Sequence, residues 1–148
     1  MQKTIKLQGR EALVLAVMSN SSAEVDGREI SPTEARSILD TGVLPRLGVT
    51  TQTPIGAVTL EVELKTLAGS TEVERSGAWA VAVLLVPQEG MSLQVFVEGS
   101  PLSTAPTLVG QRRDDAVKLK AECPTLVAAV LSLGKAQAED DAKFFAGG

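Results

Sequence analysis

Four carboxylate pairs are the first candidates for chemistry in this chain: Glu61/Glu63 and Glu72/Glu74, spaced i, i+2, and the adjacent pairs Asp114/Asp115 and Asp140/Asp141. Two carboxylates held close together can share a proton or bind a hard cation. The i, i+2 spacing also puts both groups on one face of a strand, where the commoner meaning is a solvated face. Cys123 stands directly before Pro124. A thiol at a helix N-terminus can be activated as a thiolate, whereas a small apolar side chain at a helix junction is simply buried. Arg112–Arg113 offers guanidinium groups to a phosphate or carboxylate, but Asp114 and Asp115 follow at once and balance the pair at a helix start.

The rest of the composition narrows the chemistry. Histidine and tyrosine are absent, so general acid–base work would fall to carboxylates, lysines and one cysteine. There is no Cys/His set for zinc, no glycine-rich phosphate loop and no nucleophile elbow. The expectation is a protein that is not an enzyme and needs no cofactor or metal. Net charge is −4 with scattered basic residues, which disfavours a phosphate backbone as partner. One Trp and three Phe are few rings for stacking single-stranded bases. A lone cysteine cannot form an intramolecular disulfide, which suits an intracellular or virion-internal protein. The N-terminal segment is a poor signal peptide, since its apolar run over 12–18 is short and Gly9, Arg10 and Glu11 separate it from Lys3 and Lys6. No apolar run reaches the roughly 20 residues of a membrane-spanning helix, so no membrane partner is expected.

At 148 residues the chain has the length of a single domain, 1–148. Residues 3–9 alternate as a half-buried strand, and the apolar run over 11–18 reads as a second strand beside it. Asp26–Gly27 marks a tight hairpin. Ser31, Pro32 and Glu34 open a short helix, as N-cap, first turn and capping box, and Gly42 stops it. Residues 45–57 read as a long loop. Strict alternation returns over 57–66, and with 70–87 and 91–99 it predicts a three-stranded antiparallel meander whose charge-free middle strand, 79–86, is central and covered on both faces. In the last of these strands Phe96 shares the wet face with Gln94 and Glu98. A second loop spans 99–110. Helices follow from Asp114 and again from Pro124, with a charged, alanine-rich tail over 135–148. The expected fold is α+β: an antiparallel sheet, as a sandwich or a partly open barrel, with one short internal helix and C-terminal helices.

Large rings are the remaining candidates for partner contact. Trp79 on the central strand and Phe144 and Phe145 near the C-terminus are the expected partner-binding residues. The core is the competing place for Trp79. The composition, 44% hydrophobic and built mainly from Ala, Val and Leu, is similar to that of virion components of tailed phages such as capsid, decoration and head or tail completion proteins. That likeness rests on no motif. It implies a structural assembly protein that packs on its own copies or on a larger protein shell, localised in the virion and assembled in the host cytoplasm. The alternatives are a single-stranded nucleic-acid-binding module and a small regulatory domain that binds another protein.

Overall fold

The computed structural model describes residues 1–41, 55–67, 78–88, 90–100 and 105–146. Seven antiparallel strands form one open, curled sheet: β1 (Gln2–Gln8), β2 (Ala23–Val25), β3 (Arg28–Ile30), β4 (Thr59–Thr66), β5 (Trp79–Pro87), β6 (Leu93–Gly99) and β7 (Thr107–Gly110). β4, β5, β6 and β7 lie side by side in chain order, and β1 pairs with β4 along its whole length. The β2–β3 hairpin meets β4 at Thr59, beyond the stretch of β4 that pairs with β5. Asp26 and Gly27, both at positive φ (50° and 76°), make its turn, the combination a two-residue hairpin of type I′ requires. The fold is α+β with an antiparallel sheet shaped as a half-barrel.

Alternation sorts the sheet into two faces. Leu60, Val62 and Leu64 of β4, Val81, Val83 and Leu85 of β5, Val95 and Val97 of β6 and Leu108 of β7 all belong to one buried core. α4 (Pro124–Ala146) lies across that face and touches β1, β4, β5, β6 and β7. Its deepest line is Leu126, Val130, Gly134 and Ala138, a spacing of four that keeps one stripe inward. The side chains on that line shrink toward the C-terminal half, so the helix can sit closer to the sheet there. A Cβ on Gly134 would stand 2.6 Å from Cβ of Val97. The segment expected as a tail therefore continues the helix to Ala146.

Two expectations give way. The apolar run after β1 is not a strand but a helix, α1 (Arg10–Met18). A short apolar run cannot be assigned by periodicity alone. Gly9, at φ 65° and ψ −133°, turns the chain off the end of β1, and the run that follows coils into the core instead of returning along the other edge of β1. Ala12, Leu13, Val14, Leu15 and Ala16 are all fully buried, as a helix that is apolar all round must be. The second correction concerns 99–110, expected as loop, which carries the edge strand β7. Of the loop expected over 45–57, residues 45–54 lie outside the described residues and Ile55–Ala57 form a single 3-10 turn. α2 (Pro32–Thr41) starts as its capping signal predicts, with the Glu34 amide donating to Ser31 Oγ at 3.1 Å. α3 (Arg113–Glu122) ends where Cys123 and Pro124 break the helix. No described helix is long and apolar enough to cross a membrane.

Candidate functional site

The reactive residue types meet at one junction. Cys123 lies between α3 and α4, fully buried, its Sγ 3.8 Å from the Glu11 carbonyl oxygen. Burial, with the negative charges of Glu11 and Glu122 adding to it, pushes the thiol up to about 12. A thiol held neutral at that level is not a nucleophile at neutral pH, and Cys123 serves as a packing residue. Around it α1 clamps the two helices. The Glu11 carboxylate accepts from the Thr125 amide at 3.3 Å, the Thr125 hydroxyl at 2.8 Å and the Leu126 amide at 3.3 Å, so it caps the otherwise unpaired amides at the start of α4. Arg10 Nη2 donates to Glu122 Oε1 at 2.8 Å, a bond that holds the Glu122 carboxyl below the usual glutamate range.

The carboxylate pairs do not converge. Glu61 and Glu63 point from β4 to the face away from the helices, and Glu63 pairs with Lys65 at 3.4 Å. Asp114 and Asp115 lie in the first turn of α3, and Asp140 and Asp141 lie in α4. Glu72 and Glu74 lie outside the described residues. Among the described residues no three His, Cys, Asp or Glu side chains group as a metal site would need. A cleft of about 330 Å³ opens between β4 and the β2–β3 hairpin, bordered by Lys6, Glu24, Asp26, Glu29 and Glu61. Its lining is polar, and its charged groups are four carboxylates against one lysine. The two buried serines, Ser19 and Ser21, satisfy each other: their Oγ atoms are 2.6 Å apart, and Ser19 Oγ also donates to the Leu15 carbonyl at 2.6 Å.

The distinctive surface is the outer face of the sheet. Ala82, Phe96 and Val109 stand side by side across β5, β6 and β7. Leu84 follows between Lys65 and Gln94, and Val86 beside Glu63. Ala82 is buried; Leu84, Val86, Phe96 and Val109 are half-buried, and among the described residues none of the five joins the cluster beneath α4. The charge-free middle strand is thus central, as its sequence suggests, but α4 covers only its inner face. Lys6, Glu61, Glu63 and Lys65 flank the stripe on one side and Glu98 on the other. Phe96 was legible on this face from the alternation of 93–99. Val109 was not, because its strand reads as loop.

Trp79 sits on the inner face at the end of β5, partly buried against the core. Its indole occupies the space where a Cβ on Gly99 would stand, directly across the β5–β6 pair. The side chains of Phe144 and Phe145 lie outside the described residues. The structure defines an α+β protein whose half-barrel sheet carries a packed inner face and a mixed apolar and charged outer face. No protein-family model, curated protein or solved structure matches the chain.

Proposed function

We propose that this protein is a structural assembly subunit that works by protein–protein contact rather than catalysis, and that the outer face of its sheet packs on the same face of a second copy. The stripe Ala82, Leu84, Val86, Phe96 and Val109 carries this reading. Contiguous apolar residues rimmed by polar ones are the ordinary make-up of an interaction surface. The rim holds charges of both signs, Lys6 and Lys65 against Glu61, Glu63 and Glu98, which a self-complementary two-fold contact can match. Two sheets stacked face to face interdigitate their side chains about 10 Å apart. The raised thiol of Cys123 and the dispersed carboxylates support a non-catalytic role.

Light scattering on a dilution series is the test. The wild-type protein should show a concentration-dependent dimer, and Leu84→Glu and Phe96→Glu should each stay monomeric while keeping the wild-type circular dichroism spectrum. A wild-type protein that stays monomeric at every concentration overturns the reading. The composition favours a virion shell as the setting, and mass spectrometry of purified particles tests that part separately.

A further inference from the structure

β1 holds an unused strand edge whose polarity can be read from two hydrogen bonds. The Thr66 amide donates to the Met1 carbonyl at 2.9 Å, and the Gly9 amide to the Val58 carbonyl at 2.8 Å. With the register running from Gln2 opposite Lys65 to Gln8 opposite Thr59, the odd residues of β1 turn both backbone groups toward β4. Gln2, Thr4, Lys6 and Gln8 therefore turn theirs outward. All four side chains are exposed. Among the described residues β1 pairs with β4 alone, and none of these four has a further partner. Four amides and four carbonyls along the edge are a template for another strand.

The side chains select what can add. Lys3 and Lys6 are exposed, and neither takes part in an ion pair among the described residues. Between them Ile5 is half-buried on the inner face, at the rim of the core. A second copy of β1 is less complementary: in the full antiparallel register, Gln2 opposite Gln8, Lys6 faces Thr4 and lies diagonal to Lys6 of the other copy, so the lysines gain no opposite charge.

We propose that this edge binds an extended acidic segment of a partner protein by strand addition. Main-chain bonds to Gln2, Thr4, Lys6 and Gln8 supply affinity, and alternate side chains supply specificity. An antiparallel segment placing an acidic residue opposite Lys6, an apolar one opposite Ile5, a polar one opposite Thr4 and an acidic one opposite Lys3 fits, in the order Glu-Val-Thr-Glu. The edge lies beyond the apolar stripe and shares only Lys6 with its charged rim, and this inference does not rest on the self-association proposed above.

A fluorescent, end-capped octapeptide, Thr-Thr-Glu-Val-Thr-Glu-Thr-Thr, titrated with the full chain in an anisotropy assay is the test. Binding should weaken with added salt, and it should be lost when both glutamates of the peptide are replaced by lysine. The double variant Lys3→Glu/Lys6→Glu should bind about tenfold more weakly or worse, since complementary charge is reversed. Thr4→Pro removes an outward amide but no β1–β4 bond, so it should abolish binding while amide exchange still shows the β1–β4 ladder protected. The inference is overturned if the wild-type chain fails to bind the peptide, if the lysine peptide binds equally well, or if the double variant binds as the wild type does. Dimerisation through β1, lost in Thr4→Pro and retained in Leu84→Glu, would also overturn it, by making a second copy the occupant.

Discussion

Leu84 and Leu85 are neighbours in one strand, and they belong to different parts of the molecule. Leu85 is fully buried in the core beneath α4, whereas Leu84 stands half-buried on the opposite face between Lys65 and Gln94. Both faces of β5 are free of charge, but among the described residues only the inner one belongs to the core cluster. An uninterrupted apolar strand therefore serves two faces: one buried in the core beneath α4, the other the surface proposed above for association.

The sharpest way to break this contrast is to truncate each leucine in turn. Leu85→Ala should cost about 2 to 5 kcal/mol of unfolding free energy, as for other large-to-small core changes. Leu84→Ala should cost about 1 kcal/mol or less in the monomer and instead weaken the proposed dimer. Urea denaturation of dilute samples measures both, and equal losses would erase the distinction between the faces. Gly134→Ala comes next: the added carbon meets Val97, so α4 must lift from β6, at a cost of about 1 to 3 kcal/mol.

Smaller effects are expected at the clamp. Glu11→Ala removes the carboxylate that caps α4 and should cost about 1 kcal/mol, the usual range for a lost N-cap. The smallest is the Arg10–Glu122 pair on the surface. Hydrogen bonding to Arg10 lowers the Glu122 pKa from 4.5 in the folded state, so the folded chain binds fewer protons than the unfolded one across that range. Its contribution is complete above about pH 4.5 and is lost as pH falls through the lower folded value. Denaturation midpoints of wild type and Glu122→Gln should accordingly differ slightly at pH 7 and converge at low pH.

Legibility in the sequence followed the range of the interactions involved. β1, the Asp26–Gly27 hairpin, α2 with its Ser31 cap, the meander β4–β5–β6 and the break at Pro124 are set by neighbours within a few residues, and all could be read. α1 could not, because seven consecutive apolar residues satisfy a buried strand and a buried helix equally well. The four-residue strand β7 escaped too, since its pairing with β6 is what makes it a strand. The clamp is the clearest case, joining Glu11 to Thr125 across 114 positions of chain, with no local pattern to betray it.

Residue types alone settled that this chain has neither imidazole nor phenol for acid–base work, and alternation settled which side chains share a face of each strand. Only the tertiary structure decided which of those faces α4 would cover, that Cys123 would be sealed into a helix junction, and that among the described residues β1 would pair along one edge alone. Period and capping are local energies written in adjacent residues. Burial, proton affinity and edge pairing depend on what the rest of the chain brings alongside, and that is decided when the sheet curls and α4 docks across it.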